Sequence, residues 1–237
     1  MTIRIAVINP NTTAAMTATI AAAAARAVAP DTVIVPVTNT TGAASIESHL
    51  DEALAVPGMV AAIKTLEGEG MDGYVLACFG DPGLDAAREV AAGPVVGIAE
   101  AAMHYATMLG RSFSIVTTLA RTVGQAEHLT ERYGFAGKCR SIYACDVPVL
   151  ELDDPASDAR RLVIDFCRRA VEIDHADSVV LGCAGMADFA AEATAEIGVP
   201  VIDGVGAGAA LIEGLVRLGL QTSTRSEYAT PPDKPRR

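Results

Sequence analysis

The chain is 237 residues long, 51% apolar and 20% charged, with a formal net charge of -11. That acidity, unrelieved by any cluster of Lys and Arg, excludes nucleic acid and anionic membrane surfaces as partners, because both are held through basic patches. No apolar run approaches the ~18 residues of a membrane span, and the opening TIRIAVI carries no signal-peptide pattern, so a cytoplasmic location is expected.

In chain order, residues 3–8 are apolar and β-branched with little alternation, as in a central buried strand. VINPNTT at 7–13 then turns the chain: Pro10 fixes φ, and Asn11, Thr12 and Thr13 can each cap a helix predicted from Ala14 to Ala29 and stopped by Pro30. A second strand at 32–37 leads into TNTTGAASIESH at 38–49, a long hydroxyl-rich loop of the kind that carries function. The helical stretch from there to Glu69 is expected to be split by Pro57 and Gly58. A strand at 73–78, a helix at 84–92 and a strand at 95–98 complete a first half.

The second half repeats this order: a helix at 100–109, a strand at 111–118, a helix at 120–133 closed by Gly134, and a short strand at 141–144. A helix at 157–173, a strand at 178–181, a helix at 187–197 and a strand at 201–202 follow. The apolar helix predicted over 207–218 has no place in a finished second half and is expected to cross back onto the first sheet. The polar tail beyond it, with Pro231, Pro232 and Pro235, is expected to be mobile or to reach a neighbour.

One unit occurs twice. VLACFG at 75–80 and VLGCAG at 180–185 each end an apolar run in Cys-x-Gly; Asp72 and Asp177 precede them, and Pro94-Val95 and Pro200-Val201 follow. Alternating strands and helices imply α/β architecture with parallel sheets. The repeat implies two pseudo-symmetric Rossmann-like halves: residues 1–98 joined by a C-terminal helix at 204–220, and residues 99–203, with 221–237 as the tail. Ligands bind at the carboxyl ends of strands in open parallel sheets, and right-handed crossovers put both cysteine loops on those rims. A pseudo-twofold axis between the halves would turn Cys78 and Cys183 toward one cleft.

Five cysteines form no disulfide framework in a chain without a secretory signal, so free thiols are expected. No Cys or His pair has metal spacing, and no metal is expected. The run GVGAG at 204–208 mimics half of a dinucleotide fingerprint but lacks the following βαβ unit and ribose-binding acid, so no nucleotide is expected. His104 sits on a predicted helix as a packing residue, and the acidic stretch 151–154 reads as a solvated loop.

VINPNTT, GAASIESH, ACFGDPGLDAARE, GIAEAAMHYA and LGCAGM together resemble the hydantoin racemase branch of the aspartate/glutamate racemase superfamily, over nearly the whole chain. The resemblance implies a cofactor-independent racemase acting on a cyclic ureide, with Cys78 and Cys183 as acid and base on opposite faces of the substrate, and a homo-oligomer. The chemistry needs such a pair: a racemase removes a proton from one face of a carbon and returns one to the other. The enolate that forms needs preorganised donors, and backbone N–H groups at Phe79, Gly80, Ala184 and Gly185 follow the two cysteines. Two thiolates about 7 Å apart repel by about 2.4 kcal/mol at an effective dielectric near 20, so one thiolate and one thiol are expected at rest.

Asn9 ends the first strand on the cleft rim, Thr117 and Thr118 hold the equivalent place in the second half, and Ser45 and Ile46 lie in the long loop; all five are candidate substrate contacts. Hydantoins substituted at C5 are the first expected substrate and allantoin the nearest alternative. Free aspartate or glutamate is disfavoured by the scarcity of Arg near the motifs. A two-lobed binding protein without catalysis would tolerate serine at both cysteines, and a decarboxylase on this fold would need only one thiol.

Overall fold

A computed structural model describes residues 2–153, 157–232 and 234. The first sheet holds β1 (Ile3–Asn9), β2 (Thr32–Thr38), β3 (Gly73–Leu76) and β4 (Val95–Gly97), in the order β2-β1-β3-β4. The second holds β5 (Phe113–Thr117), β6 (Cys139–Ala144), β7 (Ser178–Leu181) and β8 (Val201–Ile202), in the order β6-β5-β7-β8. Every pairing is parallel, and the two orders correspond strand for strand. The repeated aspartates do the same work in each half. Asp72 accepts the backbone N–H of Arg4 at 2.8 Å at the start of β1, and Asp177 accepts that of Ser112 at 2.9 Å just before β5.

Helices α2 (His49–Glu67) and α3 (Leu84–Val90) cover the outer face of the first sheet, and α6 (Ala159–Glu172) and α7 (Ala190–Ile197) cover that of the second. Between the sheets lie α1 (Ala14–Arg26), α4 (Ile98–Leu109), α5 (Val123–Arg132) and α8 (Gly204–Arg217). The two helices that follow the last strand of each half exchange sheets: α4 packs against β7, while α8 packs against β1 and β3, and the two pack on each other. Small residues make this close contact possible. A Cβ at Gly204 would overlap the Ile98 backbone, and one at Gly208 would lie 3.0 Å from a methyl of Val75. The GVGAG run is therefore the first turn and a half of α8, which begins at Gly204 rather than 207 because Asp203 caps it, accepting from the N–H groups of Val205 and Gly206 at 2.7 and 2.9 Å. Glu213 and Arg217 then fasten α8 to the first half, Glu213 accepting from Thr32 at 2.5 Å and Arg217 pairing with Asp31 at 2.6 Å.

Three local expectations are corrected. Helix α2 is continuous through Pro57 rather than split. The carbonyl that Pro57 leaves without a donor belongs to Ala53, which is exposed to water, and Gly58 is required because the Asn39 and Thr41 side chains occupy its Cβ position. The segment 151–153 is a short helical turn with Leu152 buried, whereas Asp154 lies outside the described residues. The tail folds back on its own chain: the turn Ser226–Tyr228 lies on α3, with the Tyr228 hydroxyl donating to Asp85 at 3.0 Å and the Arg88 guanidinium 5.9 Å from its ring centre. Pro235 is outside the described residues.

The two halves differ at one junction that positions a cysteine loop. Where α8 has its own cap in Asp203, the corresponding residue before α4 is Gly97, and the cap comes from a distance: Asp81 accepts the N–H groups of Ala99 and Glu100 at 3.0 and 2.9 Å. The Asp81 carboxyl fills the place of a Gly97 side chain. Replacing Gly97 by Ala should therefore lower stability by about 1–3 kcal/mol through overpacking, seen as a lower urea midpoint. Gly124→Ala, in open space in the first turn of α5, should cost nothing; equal urea midpoints for the two variants would refute this account.

Candidate active site

A cleft of about 600 Å3, counting its open mouth, lies where the carboxyl ends of β1, β3, β5 and β7 meet. Asn9, Ile46, Cys78, Phe79, Gly80, Thr117, Thr118, Cys183 and Ala184 all line it. Ser45 and Gly185 do not. The Ser45 hydroxyl turns to the Glu47 carboxylate at 3.1 Å, and Gly185 packs under Leu152, where a Cβ would sit 3.2 Å from a methyl.

The two cysteine loops have one geometry. In each the residue three beyond the cysteine donates its N–H to the cysteine carbonyl, Asp81 to Cys78 at 2.9 Å and Met186 to Cys183 at 3.1 Å. Such a turn leaves the N–H groups of its two central residues outside the turn's own bond. At Cys78 the Gly80 N–H is directed to the sulfur. Behind this loop Asp81 holds the backbone at φ 45°, and its carboxylate accepts the Tyr133 hydroxyl from the second half at 2.6 Å. Burial pushes the Asp81 carboxyl up to about 7 despite these three donors.

Burial governs the Cys78 thiol, as it does Cys139, Cys145 and Cys167 outside the cleft. Burial pushes the Cys78 thiol well above its usual value; the Gly80 N–H opposes this, and the nearby charges of Glu52, Cys183 and Asp81 add to it. Cys78 is therefore protonated at neutral pH. A helix terminus does not rescue the thiolate, because α3 starts only at Leu84, after the cap Gly83. The mutual influence of Cys78 and Cys183 follows from their bordering one cavity.

The polar strand ends are largely committed to scaffolding. Asn9 is fully buried; its amide donates to Asn11 at 2.8 Å and to Thr17 at 3.0 Å, and its carbonyl oxygen accepts the Asn11 N–H at 3.2 Å. It borders the cleft while holding the NPN turn in shape. Thr117 shares a 2.9 Å hydrogen bond with Thr122 and also donates to the Gly182 carbonyl at 3.3 Å. His104 is exposed on α4, its ring edge-on to Phe135 at 4.9 Å, away from the lining.

Sequence reasoning did not find Glu52 and Gln125. Glu52 comes from the first turn of α2 and Gln125 from α5, and the Gln125 amide donates to the Glu52 carboxylate across the cleft. The pair lies directly over Gly80, where a side chain would collide with both. Ser48 caps α2, accepting from Asp51 N–H at 3.2 Å, and also lines the cleft. A second bridge runs from the Val149 N–H to Glu47 at 3.2 Å, bringing the long loop of the first half against the second. The available signal was the Ser-x-x-Asp-Glu start of a helix after a hydroxyl-rich loop, which reads as capping and says nothing of a partner 73 residues away. Among the described lining residues none is Lys, Arg or His, and no three side chains gather as metal ligands among the described residues.

The comparisons agree with this geometry. The sequence model described as Asp/Glu/Hydantoin racemase matches residues 5–212. The hydantoin racemase of Pseudomonas sp. (strain NS671) is 47% identical, covering 98% of this chain and 93% of that protein. The solved allantoin racemase from Klebsiella pneumoniae is 52% identical with a TM-score of 0.96, covering 98% and 95% of the two chains. The allantoin racemase of Pseudomonas fluorescens is 38% identical with a TM-score of 0.94, covering 98% and 99%. Two sheets of one topology, two matching cysteine loops on one cleft and these similarities lead to one conclusion: the chain belongs to the Asp/Glu/hydantoin racemase family.

Proposed function

We propose that this protein is a cofactor-independent racemase of 5-substituted hydantoins, with Cys78 and Cys183 as its acid and base. The observation that carries the reading is a pair of cysteines, at corresponding strand ends of two matching sheets, bordering one cleft whose described lining has no cationic side chain. An amino-acid substrate would bring a carboxylate that needs a cationic clamp. A hydantoin brings a neutral ring whose C5–H is acidified by the neighbouring ring carbonyl.

The step balances without a cofactor. The thiolate of one cysteine takes the C5 proton, and the C–H electron pair passes into the enolate of the C4 carbonyl. The thiol of the other cysteine then gives its proton to the opposite face of C5 while the enolate pair returns to form the new C–H bond. Cys78, held protonated by burial, is the resting acid, and Cys183 is the resting base; the roles exchange for the opposite enantiomer. Central N–H groups of the two turns, at Phe79 and Ala184, are the candidate donors to the enolate oxygen, while the Gly80 N–H is directed to the Cys78 sulfur.

Allantoin, the hydantoin with a ureido substituent at C5, is the second reading. Ser48, Glu52 and Gln125 in the lining favour a polar, N–H-rich substituent of that kind.

Racemisation is tested with one enantiomer of a 5-substituted hydantoin, and separately of allantoin, in heavy water without added metal or cofactor. Optical rotation should decay as one deuterium enters at C5, and Cys78→Ser or Cys183→Ser should reduce the rate at least ~100-fold, the scale of a lost general acid or base. Racemisation that survives both substitutions would sink the two-cysteine mechanism. The acid assignment has its own check in the pH dependence of Cys78 alkylation in a Cys183→Ser background: its midpoint should lie above the ordinary thiol value of about 8.5, and a midpoint at or below that value would remove Cys78 as the resting acid.

A further inference from the structure

We propose that Glu52 is the specificity-determining residue of the cleft: its carboxylate receives N–H groups of the substrate's C5 substituent and rejects substituents that carry negative charge. The inference rests on the hydantoin reading and names which members of that class the site accepts.

Glu52 is placed for this by three observations. It brings the one carboxylate among the described lining residues, none of which is Lys, Arg or His; the His49 imidazole 3.5 Å away lies outside that lining. Its side chain is only 17% exposed, so water screens its field poorly. Its charge reaches the sulfur of Cys78, which puts it close to the reacting centre without making it part of the proton transfer.

The carboxylate is also oriented. Gln125, from the other half, donates to one oxygen, and the exposed imidazole of His49 lies 3.5 Å from the other. A carboxylate has about four acceptor positions, so these two neighbours leave capacity for N–H groups entering the cleft. Glu47, another acid of the same loop and helix start, is occupied by the Val149 N–H and the Ser45 hydroxyl and is not part of the lining. Gly80 completes the arrangement: any side chain there would displace both Glu52 and Gln125 from above the Cys78 loop. A ureido or carbamoyl substituent offers N–H donors to such a carboxylate. A carboxylate substituent of the same shape offers none and faces like charge at short range, in a site with little screening.

The test uses the full-length protein and a near-isosteric pair, 5-carbamoylmethylhydantoin and 5-carboxymethylhydantoin, at pH 7. Dissociation constants are read by calorimetry and kcat/KM by loss of optical rotation. The wild type should prefer the amide by at least about tenfold, the equivalent of ~1.4 kcal/mol. Glu52→Gln, which keeps an acceptor for Gln125 but removes the charge, should bring that ratio within about threefold of unity. Glu52→Asp keeps the charge and should keep the discrimination even if overall affinity falls. The proposal is overturned by a wild type with no preference or no affinity for either compound, by a ratio unchanged in Glu52→Gln, or by equal loss in Glu52→Asp and Glu52→Gln, which would mark Glu52 as structural. Failure of the parent reading shows separately, as a wild type that exchanges deuterium into no hydantoin, while the binding ratio still decides the role of Glu52.

Discussion

The exchange of α4 and α8 between the two sheets is the constraint on which the cleft depends. Each helix is tethered by its sequence to the last strand of one half and packed on the sheet of the other, and the two meet face to face. Neither sheet can shift without moving a helix wedged against its partner. That fixity holds Cys78 of one half and Cys183 of the other at one cleft. The glycines of GVGAG serve this packing, and the resemblance to a nucleotide loop is incidental to it.

Within that symmetric frame the surroundings of the two cysteine loops differ. Asp81, which corresponds in the repeat to Met186, caps the helix that Gly97 leaves uncapped and ties the Cys78 loop to Tyr133 in the other half. Phe79 stands where the second loop has Ala184, and Glu52 reaches the Cys78 side. Burial and these acidic neighbours hold a proton on Cys78. A duplicated scaffold thus supplies matching geometry, and substitutions at a few equivalent positions give the two cysteine loops different surroundings.

The cleft is closed over by contacts between halves, and each has a polar anchor. Glu47 accepts from Val149, and Gln125 donates to Glu52, so the long loop and the start of α2 are held against the second half. Both anchors use carboxylates of the first half. The chain's overall negative charge therefore extends to the border of the cleft.

The sequence by itself determined the α/β architecture, because strand-like apolar runs alternate with helical segments and the Cys-x-Gly unit recurs with matching flanks. It also determined Cys78, Cys183 and the strand-end residues Asn9, Thr117 and Thr118 as neighbours of one cleft, since in parallel sheets these ends share a rim. Tertiary structure alone decided the rest. Continuity of α2 through Pro57 depends on Ala53 lying on the exposed side of the helix, and the tail's position depends on Tyr228 meeting α3. Placement of Ser45 and Gly185 outside the lining, and of Glu52 beside Gln125, depends on how two halves dock. Local sequence carries periodicity, capping and turn chemistry, which act over a few residues. Contacts between residues tens of positions apart are set by packing, and they leave no local pattern to read.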